Sequence, residues 1–151
     1  MPVVRRSALL PYPPRAVYDV VSDVPSYPEF LPWCRDARVL ERQEHEVVAE
    51  LELDARGLQE RFTTRNRLFP HERIELELVS GPFRSFAGTW RFIGIGGDAG
   101  CRVELDLDFQ FSGARSMLGS AFSSVFARAA DRMVDAFCAR VQASRAGPSD
   151  G

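Results

Sequence analysis

The chain has 151 residues, of which 45% are hydrophobic and 26% charged, with a formal net charge of -2. That length suits one domain around one core, and so balanced a charge gives no ground for a DNA binder. All nineteen basic residues are arginine, so any basic cluster would be suited to bidentate phosphate contacts. The three cysteines, Cys34, Cys101 and Cys138, lack CxxC spacing, and their odd number fits a reducing cytoplasm. No segment approaches the roughly 20 apolar residues that span a bilayer, and MPVVRRSALLPYPP lacks an apolar run of signal-peptide length. The expectation is a cytoplasmic protein, with peripheral contact at the inner face of the membrane left open.

In chain order, Val3 to Leu10 reads as a short strand. Pro13 and Pro14 can then occupy the cap and first position of a short helix carrying Ala16, Val17, Val20 and Val21 on one face. DVPSYPEFLPW, residues 23–33, holds three prolines and can form at most a turn of helix and an ordered loop. A less clearly patterned strand is expected around Cys34 to Glu44. Clean alternation follows: Val47, Ala49, Leu51 and Leu53; then Phe62, Thr64, Asn66 and Leu68; Ile74, Leu76 and Leu78; Phe86, Gly88, Trp90 and Phe92; and Cys101, Val103, Leu105, Leu107, Phe109 and Phe111. Such alternation predicts antiparallel strands with one wet face. After Ser112, a candidate cap, apolar residues recur at helical spacing from Met117 through Phe122, Phe126 and Met133 to Val141, predicting one long helix. The fold class is therefore α+β: about seven antiparallel strands curling around a long C-terminal helix, with two short helices after the first strand. Residues 1–146 form the domain and 147–151 a disordered tail.

So many strands present more inward apolar surface than one helix covers. The remainder is either filled by large side chains or left as a pocket, on the order of 300 to 1,000 Å³.

The run RRSALLPYPPRAVYDVVSDVPSYPEFLPWC, followed by FTTRN, GPF, GTWRF and CRVELDLDFQF and the closing helix, resembles the coenzyme-Q-binding START-domain family of the polyketide cyclase/dehydrase superfamily. The resemblance covers nearly the whole chain. It implies the helix-grip (START/Bet v 1-like) fold and a pocket for ubiquinone, another isoprenoid quinone or a similar lipid. It also implies two functions, because such proteins include ubiquinone binders that support respiration and bacterial toxins that bind the large ribosomal subunit and block subunit association.

The leading expectation is a quinone or lipid carrier or chaperone supporting respiration; the alternative is the ribosome-binding toxin. Tyr27, Phe30, Leu31 and Trp33 would gate the cavity, either as an outward apolar patch or as a cap on the core. Phe62, Leu76, Phe83, Trp90, Leu105, Phe109, Phe122, Phe126 and Met133 would wall it. Thr64 and Asn66 share the inward parity of one strand, and buried polar groups need partners: each other, the backbone, or a ligand carbonyl.

A basic ribosome-facing patch of Arg61, Arg65 and Arg67 would be neutralised by the next strand, whose register places Arg65 near Glu77 and Arg67 near Glu75. Arg5, Arg6, Arg15, Arg35 and Arg38 form a second basic surface with no obvious acidic partner. His45 and His71 fall at turns, no spacing suggests a metal site, and Cys101 and Cys138 lie on apolar faces. Cys34, closing the aromatic loop, is expected to be partly exposed. No catalytic residue, metal or catalytic cofactor is expected, and ubiquinone would be a bound ligand in a protein that is not an enzyme.

Overall fold

The computed structural model describes residues 3–55, 58–111 and 128–145. Its frame is a seven-stranded antiparallel sheet: β1 (Val3–Leu10), β2 (Cys34–Arg42), β3 (Glu46–Ala55), β4 (Leu58–Phe69), β5 (Arg73–Ser80), β6 (Phe83–Ile95) and β7 (Gly100–Phe111). Strands β2 to β7 form a meander, and β1 lies at the far edge against β7, giving the order β1-β7-β6-β5-β4-β3-β2. Between β1 and β2 run helix α1 (Pro14–Ser22) and a 3-10 helix (Val24–Glu29). As the prolines predict, Pro13 takes the N-cap of α1, and Pro28 sits inside the 3-10 segment, which cannot continue as α-helix. A helical turn at 128–131 leads into α2 (Met133–Arg145). The remainder of the expected long helix, with Ser112, Met117, Phe122 and Phe126, and the expected tail lie outside the described residues.

The inner parity of the strands is buried or, at Ala8, Leu51, Leu68, Leu76 and Leu78, partly buried against the core. Cys101, Leu105 and Phe109 of β7 are fully enclosed, and Val134, Phe137 and Val141 of α2 close over the same face. The register expected between β4 and β5 is present, with Arg65 opposite Glu77 and Asn66 opposite Leu76. Gly88 is the thin point of this face, because a Cβ there would stand 2.5 Å from Leu107 Cδ2 and 3.2 Å from the Asp106 carbonyl. In the β6–β7 loop between Ile95 and Gly100, Gly96 and Gly97 have φ of 60° and 71°, left-handed values that glycine adopts without steric cost.

The outer face is laced with ion pairs. Arg65 binds Glu46 at 3.0 Å and Glu77 at 3.8 Å, while Glu75 is held by Arg73 at 3.0 Å instead of by Arg67. The second basic surface expected near the N-terminus is also neutralised: Arg5 meets Asp106, Arg6 meets Asp131 and Asp135, Arg15 meets Asp98, Arg35 meets Asp54, and Arg38 meets Glu50. The carboxylates that meet Arg5, Arg6 and Arg15 come from elements distant in sequence, so the chain order of charges could not reveal them, whereas Asp54 and Glu50 stand on β3, the strand paired with β2. Val48 and Thr63 are buried on this outer side, and the pairing of β2 with β3 shifts register around Val39 and Glu41, bending the edge strand.

Candidate functional site

The concave side of the sheet, α2 and the α1–3-10 connection enclose one apolar cavity. Among the expected site residues, Tyr27, Leu31, Trp33, Phe62, Thr64, Asn66, Leu76, Trp90, Leu105 and Met133 line it. Phe30, Phe83 and Phe109 do not. Phe83 and Phe109 instead join Phe62 and Phe86 in an aromatic cluster, with ring centroids 5.1–6.3 Å apart, that plugs one part of the inner face. Phe30 packs on Phe137 of α2 at 5.2 Å. Phe122 and Phe126 fall outside the described residues.

Several wall residues escaped the sequence reading. Phe137 is the most consequential: its ring meets Tyr27 at 5.2 Å and Trp90 at 5.1 Å, joining loop, helix and sheet. It stood in the apolar helical pattern, but that pattern alone does not rank one position above another. Val21, Ser22 and Val24 also line the cavity because α1 ends against it. Val47, Ala49, Leu51 and Leu68 follow directly from strand parity.

Of the two readings of the aromatic loop, the cap on the core is the one realised. Leu31 is buried, and Tyr27, Phe30 and Trp33 are half-buried against α2 and the sheet, so no outward aromatic patch exists here. The Tyr27 hydroxyl donates to the Val21 carbonyl, and burial pushes its pKa well above the ordinary tyrosine value. Arg140 fastens the loop from α2, reaching Glu29 at 2.6 Å with its guanidinium 5.0 Å from the centre of the Phe30 ring.

The cavity holds a free volume of about 70 Å³. This is smaller than the expected pocket, because the rings of Tyr27, Trp90 and Phe137 converge in it. Admitting a ligand ring therefore requires these side chains to part. Polarity inside is confined to a few groups. Thr64 Oγ1 donates to Asn66 Oδ1 at 2.6 Å, both residues being buried. Tyr27 is the only titratable side chain among the described lining residues.

Elsewhere the chemistry is muted. Cys34, expected to be partly exposed, is buried, and desolvation pushes its thiol up to about 11, as it does for Cys138. His71 is exposed at the β4–β5 turn with its ring 5.4 Å from Tyr18. Among the described residues no group of three or more His, Cys, Asp or Glu side chains converges as a metal site, and no helix is long and apolar enough to cross a membrane.

A curved antiparallel sheet gripping a C-terminal helix over an apolar cavity defines the helix-grip, START/Bet v 1-like class. The chain belongs to the polyketide cyclase / dehydrase and lipid transport family, whose model matches residues 10–138. It is 47% identical over 139 residues to a protein of Pseudomonas aeruginosa named ribosome association toxin RatA, covering 92% of this chain and 94% of that one. A coenzyme Q-binding protein COQ10 homolog B of Xenopus laevis is 30% identical over 80% of this chain and 49% of its own length. In three dimensions the chain resembles the Zhui aromatase/cyclase of Streptomyces sp. R1128, with a TM-score of 0.81 and 19% identity over 99% of this chain and 98% of that one; this likeness concerns the fold.

Proposed function

We propose that this chain is a ribosome-association factor of the toxin type, which binds the large ribosomal subunit in the cytoplasm and prevents the small one from joining. The observation that carries this reading is the near end-to-end match, at 47% identity, to a relative named for ribosome association. It reverses the order suggested by the sequence alone, where quinone carriage led. Because most described arginines are already paired on the surface, docking would exchange existing ion pairs for new ones and weaken with salt.

Sedimentation with separated subunits at stepped ionic strength tests it. The protein should travel with the large subunit at low salt, fall away as salt rises, and reduce the yield of joined ribosomes. Co-sedimentation with neither subunit, or with the small one alone, overturns the reading.

A second reading is supported by the cavity: it holds an uncharged apolar ligand of the isoprenoid quinone class, as a bound ligand and not a catalytic cofactor. The apolar walls, the family's lipid-transport description and the coenzyme-Q-binding relative support it. Mass spectrometry of lipid co-purifying with the natively isolated protein tests it; lipid-free protein that also takes up no added quinone overturns it.

A further inference from the structure

On the inner face of β4, where Phe62 and Leu68 keep the apolar pattern, the two positions between them on the same parity are Thr64 and Asn66. Each retains only 8% of its exposure, and both line the cavity. The Thr64 hydroxyl donates to Asn66 Oδ1 at 2.6 Å. In this arrangement the amide oxygen is the atom that Thr64 engages. The Nδ2 group is thereby left with two N–H donors and no partner among the described residues. It is not walled off, because no side-chain nitrogen or oxygen in the described protein is both fully enclosed and unpaired. An unpaired donor on an otherwise apolar wall is the exception among buried polar groups.

The other polar side chains of the lining are the hydroxyls of Tyr27 and Ser22 and the indole N–H groups of Trp33 and Trp90. Tyr27 donates to the Val21 carbonyl and Ser22 to the Asp19 carbonyl. No lysine, arginine, histidine or carboxylate is among the described lining residues, so a carboxylate or phosphate entering here would be desolvated without a counter-charge. We infer that Asn66 is the specificity-determining residue of the cavity, donating its amide N–H to a carbonyl-type oxygen of an uncharged apolar ligand, with Thr64 as its positioning residue. The inference rests on the second reading above, that the cavity holds an apolar ligand, and adds which polar atom the ligand carries and which charged lipids it is not.

The test is quenching of Trp33 and Trp90, which both line the cavity, by decylubiquinone, with displacement by decylbenzene, which lacks an acceptor oxygen, and by palmitate. Asn66→Leu should weaken decylubiquinone roughly 3- to 10-fold, the size of one lost hydrogen bond, and leave decylbenzene within about twofold of wild type. Palmitate should need at least about tenfold higher concentration than decylbenzene to displace the quinone. Equal losses for both uncharged probes, no loss for either, or palmitate competing as well as decylbenzene overturns the assignment while the cavity reading stands. Wild-type protein that binds neither decylubiquinone nor decylbenzene overturns the cavity reading and this inference with it. Should Asn66→Leu not fold, Asn66→Thr, which keeps a polar group but shortens its reach, is read by the same two probes with the same criteria.

Discussion

Arg140 on α2 and Glu29 at the end of the 3-10 helix, 111 residues apart in sequence, meet at 2.6 Å and join the two segments that cover the cavity. Both side chains are partly exposed, so the pair contributes no more than about 1 kcal/mol to stability. Its effect is local. Arg140→Leu should lower the unfolding temperature by only a few degrees. Hydrogen exchange of the Phe30 and Leu31 amides, both bonded to the Tyr27 carbonyl, should nevertheless speed up. Unchanged exchange at these two amides would show that the latch holds nothing.

Phe137 is the ring on which loop, sheet and helix converge. Phe137→Ala should cost about 3–5 kcal/mol in urea unfolding and open the space between Tyr27 and Trp90. The enlarged cavity should take up Nile red more tightly than wild type. A loss below about 1 kcal/mol would mean the neighbouring rings collapse into the gap.

Gly88→Val places side-chain atoms against Leu107 and the Asp106 carbonyl, where even a Cβ has no room. Overpacking of this kind should destabilise by about 1–3 kcal/mol, measured as a lower urea midpoint at unchanged slope.

The thiols of Cys34 and Cys138 are pushed up to about 11 from an ordinary 9.0, first by burial. At pH 8 the native protein should therefore react with a disulfide reagent far more slowly than the urea-unfolded chain. The same shifts set a pH window. Below pH 9 both states keep these thiols protonated and the stabilisation is fully present; as pH rises from 9 towards 11, the unfolded state ionises first and native stability falls. A urea midpoint that is flat from pH 9 to 11 would contradict the burial of these groups.

Strand parity carried most of the fold. The inward Thr64 and Asn66 followed from alternation, and the facing of Arg65 and Glu77 from alternation together with the short turn between Phe69 and Arg73, since a period of two excludes odd slips of register and the turn length excludes the even ones. Parity could not say which part of a long inner face lines open space and which is plugged, so Phe83 and Phe109 were expected at the cavity although they belong to the aromatic cluster. The aromatic loop has no period at all. Whether Phe30 faced water or Phe137 was decided by where α2 lies, which is a property of tertiary packing. The arginine partners were hidden for a related reason: Asp131 and Asp135, which hold Arg6, follow it by more than 120 residues.

The sheet order also dictates a sequence of events during synthesis. β1 is made first, yet its sheet neighbour β7 begins at Gly100, with Val3 facing Asp108 and Leu10 facing Cys101. Strands β2 to β7 can pair hairpin by hairpin as they emerge, whereas β1 must remain unmatched until nearly three quarters of the chain exists. Its docking is then the step with the longest loop to close, and pulse-labelling of nascent chains should find the β1 amides the last of the sheet to gain protection.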